Sequence, residues 1–331
     1  MKVLELFAGA GGAALGLESA GFEHAALCEW DENACATLRA AGLGPVVEGD
    51  VRDLDAIAAV AEDVDLIWSS FPCQAWSMGG KRKGAQDDRN GWPWTVDAID
   101  RFKPKWFLGE NVKGLIQHRS LCPSRRLGTQ KSMFEKDQDL SCAACYFEHV
   151  ILAELRKRFD YVGWFLLDAA DYGVPQHRRR VILWAGPSPL LEPEQTHGPG
   201  ASRLWTSMAS ALNLSPGEQV IGGGRNPAKG ASDRRYRVLT NEPSTTVAAV
   251  RIGNAGPWVV PQGLNPSTKS VNASEAKTLE RRRLSLEEYA TLQGFPEGHP
   301  FQGTSTARRR QIGNAVPPRL AQVVGQLVMN A

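Results

Sequence analysis

Lys2-Val-Leu-Glu-Leu-Phe7-Ala-Gly9-Ala-Gly11-Gly12 decides the fold class. Lys2 to Phe7 is an apolar-rich run of strand length, and Ala13 to Ala20 reads as a helix closed by Gly21. Strand, glycine turn and helix open a dinucleotide-type α/β fold, because glycines let a ligand approach backbone that a Cβ would block. Such turns are common, so the following unit has to give this one its meaning.

His24 to Cys28 reads as a second strand, ending in Glu29-Trp30-Asp31. An acidic residue there, about twenty positions after the glycines, can bind both hydroxyls of a ribose. Trp30 offers a flat face for an adenine, with a core or surface aromatic as the competing reading. A helix over 32–41 leads to Pro45-Val46-Val47-Glu48, and Asp50 in Gly49-Asp50-Val51 could accept from an adenine amino group. These features fit an adenosine-containing cofactor without separating NAD from S-adenosylmethionine. The glycine turn lacks a Gly-x-Gly-x-x-Gly in full register, which favours the second.

In Asp65-Leu-Ile-Trp-Ser-Ser-Phe-Pro-Cys73-Gln-Ala-Trp-Ser77, Leu66 to Trp68 is a short buried strand stopped by polar residues and Pro72. Cys73 therefore stands on a turn at a strand's carboxyl end, where open α/β sheets place their chemistry. A thiol there is a candidate nucleophile; a buried structural cysteine is the alternative. Residues 77–90 form a Gly-, Lys- and Asp-rich loop long enough to be functional. A helix over 92–102 and a strand from Lys105 lead to Gly109-Glu110-Asn111-Val112, so Glu110 stands at a strand's carboxyl end. A partly desolvated carboxyl there could donate a proton, with a surface glutamate as the alternative.

The chain has 331 residues, 42% hydrophobic and 22% charged, the composition of a soluble globular protein with a sizeable core. No leader pattern precedes the first strand, and no apolar run approaches ~18 residues, which points away from a membrane and toward the cytoplasm. There the six cysteines serve as thiols, nucleophile or metal ligands rather than disulfides. The net charge is only +2, but arginines cluster at 178–180, 234–235, 281–283 and 308–310, with Lys81-Arg82-Lys83 similar in character. Such clusters suit phosphate neutralisation or simply solvated faces.

Residues 117–145 interrupt the pattern with a polar, basic, Gly- and Pro-punctuated insert. It holds His118, Cys122, Cys142 and Cys145, the composition of a small zinc site or of reduced, unligated thiols. A helix over 147–158 follows. Strands at 161–167 and 181–186 flank Gln176-His-Arg178-Arg179-Arg180, whose alternation turns Gln176, Arg178 and Arg180 the same way if extended. After a Pro- and Gly-rich linker from Pro187 to Gly200, residues to about 276 carry short strand-like pieces at 235–239, 245–250 and 258–260, which suggests a β- and loop-rich second domain. Helix periodicity returns at Leu284, with Ser285 and Glu288 placed for a capping box. Gln311-Ile-Gly-Asn314-Ala-Val-Pro-Pro318 leads into a final amphipathic helix.

In order, Leu6-Phe-Ala-Gly-x-Gly-Gly12, Glu29-Trp30, Gly49-Asp50-Val51, Phe71-Pro-Cys-Gln74, Glu110-Asn-Val112, Gln176-x-Arg-x-Arg180, Leu292-Gln-Gly-Phe-Pro296 and Gln311-x-Gly-Asn314 resemble the motifs of the cytosine-C5 DNA methyltransferases of bacteria and phages. The resemblance covers all but the insert and about 187–276, where that family carries a variable target-recognition domain. Glu5 stands where many members have Asp. The family implies a Rossmann-like, doubly wound, mostly parallel sheet over 1–186 with 305–331. It also implies a smaller target-recognition domain over 187–280 and a hinge over 281–304. The implied reaction adds the Cys73 thiolate to C6 of a flipped-out cytosine, with Glu110 as acid at N3 and Arg180 and Arg178 holding the O2 side. S-adenosylmethionine would lie against Phe7, Gly9, Gly11, Glu29, Trp30, Asp50, Val51, Pro72 and Asn314. Double-stranded DNA is the implied partner of a monomer, with a cognate restriction endonuclease alongside. Rival readings are a tRNA cytosine methyltransferase and a catalytically silent DNA-binding relative.

Overall fold

The structure, a computed structural model, describes residues 1–72, 90–118, 122, 142–223, 235–249, 257–261, 264–265 and 267–331. Cys73, the expected loop after it to residue 89, and most of the 117–145 insert lie outside the described residues.

Seven strands form the main sheet: β1 Lys2–Leu6, β2 Glu23–Glu29, β3 Val46–Glu48, β4 Leu66–Ser69, β5 Trp106–Val112, β6 Tyr161–Asp168 and β7 Arg179–Gly186, in the order β3-β2-β1-β4-β5-β7-β6. The pairings from β3 through β5 are parallel, while β7 lies between β5 and β6 antiparallel to both. Successive side chains of a strand point to opposite faces, and the core divides accordingly. Leu4, Leu6, Ile67, Phe107, Val181 and Leu183 belong to one apolar cluster with Ile57, Trp92, Ile99 and Ile151. Val3, Leu66, Trp68, Trp106, Leu108 and Ile182 belong to another with Leu17, Leu320 and Val324. Both faces are thus covered, which is why β4, Leu-Ile-Trp-Ser, is buried along its whole length.

The helices in this part are α1 Gly12–Ser19, α2 Glu32–Ala40, α3 Leu54–Ala58 and α4 Trp92–Phe102, and all but α3 follow the sequence reading closely. Helix α1 packs on the last helix, Pro318–Met329. The contact needs Gly16, because a Cβ there would lie 2.1 Å from the carbonyl oxygen of Pro318. The helix expected over 147–158 begins earlier, at Ala143 with Cys142 as its N-cap, and passes through a π turn over Phe147–Ile151 before ending at Arg156.

A second sheet is antiparallel throughout: β8 Gln219–Gly223, β9 Arg235–Val238, β10 Trp258–Val260, β11 Ser270–Asn272 and β12 Arg282–Arg283, in the order β11-β9-β8-β10-β12. The expected pieces at 235–239 and 258–260 are strands in it. The one at 245–250 is not a strand in its described part, and Val250 lies outside the described residues. Residues 244–247 instead receive the segment before β7: His177 donates its backbone N–H to Ser244, and Thr246 Oγ1 donates to the His177 carbonyl. The capping box forms as expected at Ser285 and Glu288, opening the helix Leu286–Gln293.

Glu5 of β1 is 1% exposed, with His24 Nε2 3.7 Å from its Oε2. Burial pushes its carboxyl pKa up from the ordinary value, and the neighbouring His24 acts in the opposite sense. A folded-state pKa above the unfolded one means the native carboxyl holds its proton longer, so stability falls as pH rises between the two values. Glu5→Gln is therefore expected to raise Tm at about pH 8, with the gain vanishing below the ordinary value of 4.5. Thermal melts of both proteins across that range check it; a gain independent of pH would refute the assignment.

Candidate active site

Chain order gives the crevice. After β1 the chain builds β2 and β3 on one side and then returns to build β4 and β5 on the other, so the carboxyl ends of β1 and β4 flank a switch point. Phe7 leaves β1 with φ 60°, a left-handed conformation costly for an aromatic residue, and Gly9 follows with φ 56°. A Cβ at Gly9 would meet nothing within 4 Å, so the turn's backbone faces open space. Glu29 at the end of β2 fixes the turn: Oε2 accepts from Gly9 N at 2.8 Å, and Oε1 accepts from Trp30 N and Asp31 N at 3.0 and 2.9 Å. Of the roughly four acceptor positions of a carboxylate one remains, on Oε2. Glu29 can therefore take one ribose hydroxyl as it stands, where the sequence reading gave it two.

Beside it, Trp30 is 73% exposed, an apolar face with little cover. Val51 is buried next to Asp50. Arg52 grips Asp50 through two hydrogen bonds, Nε to Oδ1 at 2.9 Å and a terminal nitrogen to Oδ2 at 2.5 Å, and holds the Asp50 carboxyl below its usual pKa. The same guanidinium lies 5.2 Å over the Trp94 ring, which is itself 6.5 Å from Phe7. A polar-aromatic row thus runs from the end of β1 to the end of β3. Asn314 is exposed at the end of the helix Ser305–Asn314.

The turn that leads to Cys73 is anchored on both sides. Asn111 Nδ2 donates to the Phe71 carbonyl at 3.1 Å, and Phe71 packs 5.3 Å from Trp92. Where the chain returns, a Cβ at Gly91 would lie 2.6 Å from Pro72, so the two ends of 73–89 meet. Asn90 Nδ2 donates to the Tyr146 hydroxyl at 2.8 Å. Beside this mouth stands Glu110, on β5 itself rather than in a turn after it, with Oε1 2.6 Å from Arg180 Nε; each side chain is 11% exposed. Antiparallel pairing of β5 with β7 sets this meeting, since Val112 lies opposite Arg180 and Glu110 opposite Ile182.

The expected alternation holds: Gln176, Arg178 and Arg180 are buried, and the Arg179 side chain is 61% exposed. The three buried side chains part company, however. Gln176 donates to Leu292 O and Gln293 Oε1 and accepts from Val247 N. Arg178 donates to the carbonyls of Val247, Gly313 and Ala315 at 2.9, 3.2 and 2.8 Å. The sequence reading gave Arg178 a share in holding the substrate ring, whereas its terminal nitrogens are engaged inside the protein. Only Arg180 continues to Glu110. Elsewhere, His118, Cys122, Cys142 and Cys145 do come together, their ligand atoms all within 4.8 Å of one another.

Sequence reading missed Asn111, Asn90, Tyr146, Arg52 and Trp94. Asn111 was adjacent to a chosen residue, and Trp94 sat one helical step from an expected helix start, but neither type signals a role without its partner.

A family model described as C-5 cytosine-specific DNA methylase matches residues 1–196 and 224–330. The chain belongs to that family. Type II methyltransferase M.NgoMIV of Neisseria gonorrhoeae is 32% identical over 339 residues, covering 99% of this chain and 97% of that protein. M.NaeI of Lentzea aerocolonigenes is 31% identical, covering 100% of this chain and 75% of that one. The crystal structure of S. pombe Dnmt2 methyltransferase matches with a TM-score of 0.63 at 18% identity, covering 99% of this chain and 97% of the other, a likeness of fold. As a DNA methylase of the C5-cytosine class, the protein is an enzyme whose substrate is DNA. No helix among the described residues is long and apolar enough to cross a membrane.

In this methylase Arg178→Met would strand the buried carbonyls of Val247 and Gly313 and leave that of Ala315 to Gln293 alone. It is expected to lower stability by about 3 kcal/mol or more, against under about 1 kcal/mol for the exposed Arg179→Met. Urea unfolding of both variants checks it, and equal losses would sink the distinction.

Proposed function

We propose that the protein methylates C5 of a flipped-out cytosine within a specific double-stranded DNA sequence, using S-adenosylmethionine and a covalent adduct between Cys73 and C6. The observation that carries the reading is the Glu110–Arg180 pair, buried at the mouth that leads to Cys73. It sets a carboxyl group and a guanidinium side by side, the two group types the ring chemistry requires.

The crevice suits the cofactor: an open turn at Gly9, the remaining Glu29 oxygen for a ribose hydroxyl, the exposed Trp30 face for an adenine, and Asp50 and Val51 at its edge. Phe7, Gly11, Pro72 and Asn314 complete the proposed lining. When bound, S-adenosylmethionine supplies an electrophilic methyl group to the carbon that the protein activates.

The protein's own part is that activation. Cytosine C5 is a poor nucleophile until the Cys73 thiolate adds to C6, which places electron density on C5. Glu110 donates toward N3 as this charge builds, and Arg180 holds both Glu110 and the O2 side of the ring. Arg178 acts as a positioning residue, through the backbone on which Arg180 and Asn314 stand. Once C5 carries the methyl, loss of its proton and expulsion of the thiolate restore the ring. Because C5 and C6 are inaccessible in a stacked duplex, the base has to leave the helix, and residues 77–89 with Lys81-Arg82-Lys83 would close over it. The second sheet, over the stretch read as the target-recognition domain, supplies a surface for reading a duplex. The reading extends to a monomer serving a type II system with a cognate endonuclease, in line with the names of its relatives.

Nucleoside mass spectrometry on DNA and tRNA from cells making the protein or Cys73→Ala tests this. The expected result is 5-methyldeoxycytidine in DNA with the native protein and none with Cys73→Ala. Glu110→Gln is expected to retain cofactor binding while losing about 10²- to 10⁴-fold in rate. Methylation confined to tRNA would replace the substrate and keep the chemistry, and none in either would favour a silent DNA-binding relative.

A further inference from the structure

Four side chains of the insert converge. Among the described residues, their cluster of buried residues consists of Cys122, Cys142, Ala144 and Cys145. The three cysteines are 1%, 0% and 1% exposed, and His118 caps them from the surface. Burial of three thiols and one alanine is a weak reason for a polar insert to return to one point.

The spacing supplies a better one. Tetrahedral zinc with Zn–S of about 2.3 Å and Zn–N of about 2.0 Å places neighbouring sulfurs about 3.8 Å apart, and a sulfur and a nitrogen about 3.5 Å apart. Here Cys122 Sγ and Cys145 Sγ are 3.5 Å apart, and His118 Nδ1 is 3.7 Å from Cys142 Sγ and 4.0 Å from Cys145 Sγ. The sulfur pair is far too long for a disulfide bond, which is about 2.05 Å. Both liganding nitrogen and sulfurs turn toward one another, the opposite of what solvated or apolar-packed side chains do.

We propose that His118, Cys122, Cys142 and Cys145 bind one structural Zn²⁺ ion, and that this ion fastens the insert to the frame of the active site. Three thiols lose their protons to solvent as the metal–sulfur bonds form, and histidine binds as the neutral imidazole. A closed Cys₃His set leaves no position for a substrate, so the ion is a staple. Its two ends are informative. His118 follows the short 3₁₀ turn Lys113–Ile116, which leaves β5 after Val112, just past Glu110. Cys142 and Cys145 open the helical run that carries Tyr146, the partner of Asn90. The ion therefore joins the strand bearing the proposed acid to the point where residues 73–89 rejoin the fold.

Elemental analysis and native mass spectrometry of the purified full-length chain, prepared without chelator, test this directly. One zinc per chain is expected, released in step with thiol modification by a mercurial reagent. Cys142→Ser and Cys145→Ser should each bring the content below about a tenth of an equivalent. In the native protein, chelation should increase hydrogen exchange across residues 113–118 and 142–146. A folded native chain with under about a tenth of an equivalent and no uptake of added Zn²⁺ overturns the proposal. So does a Cys122–Cys145 disulfide in the unreduced protein, or one equivalent of a different metal.

Discussion

The Arg178 guanidinium holds together parts of the chain that nothing local would bring near. It sits before β7 in sequence, yet its hydrogen bonds end on Val247, Gly313 and Ala315. Gln176, two residues earlier on the same side, reaches Val247 again and Leu292 and Gln293. Gln293 Nε2 closes the set on the Ala315 carbonyl. These carbonyls lie in the last turns of helices (Leu292, Gly313) or in irregular backbone (Val247, Ala315), and each would cost about 1–3 kcal/mol if left dry and unpaired. One charged donor group and two amides satisfy them. The position of Asn314, and of the start of the last helix that packs on α1, follows from that arrangement.

Strand alternation then makes the same segment serve two purposes. Two residues after Arg178, Arg180 on β7 meets Glu110 on the adjacent strand β5. A buried ion pair of this kind adds little net stability, because desolvation offsets most of its attraction. What it fixes is geometry: one oxygen of Glu110 is held by Arg180 while the carboxyl stays beside the turn from Phe71. The pair therefore reads as a functional arrangement, whereas the Arg178 contacts, neutral carbonyls around a single charge, read as structural.

The division between legible and hidden follows from the range of each interaction. Strands β1, β2, β4 and β5 and helices α1, α2 and α4 were readable because apolar periodicity and glycine punctuation are local. So were the Ser285 capping box and the inward set of Gln176, Arg178 and Arg180. The separate fates of that set were hidden, since residues 247 and 313–315 are remote in sequence. The piece at 245–250 had the β-branched composition of a strand, but its backbone pairs with the segment before β7 and joins no sheet in its described part. Strands β8, β11 and β12 were missed because they are short, with glycines in β8, two polar residues of three in β11 and only arginines in β12, and their pairing partners are far away. The helix at Ala143 was expected four residues too late because Cys142 and Cys145 were read as part of a polar loop. Glu29 shows the converse error: its place was legible, but three backbone amides had already claimed most of its acceptor capacity.

The segment that bears Cys73, the proposed nucleophile, has both its ends anchored by described residues. The leading end is fixed by Asn111 on the Phe71 carbonyl and by the tilted ring contact of Phe71 with Trp92. The returning end is fixed by the close contact of Gly91 with Pro72 and by Asn90 on Tyr146. Asn111 is covalently next to Glu110, so the first anchor carries the position of the proposed acid into the root of the Cys73 turn. Tyr146 belongs to the helix that Cys142 and Cys145 open, so the second anchor is only as firm as that helix's first turn. The proposed zinc site would firm that turn, and so connect a feature dispensable for the sheet to the placement of the residues proposed for the chemistry.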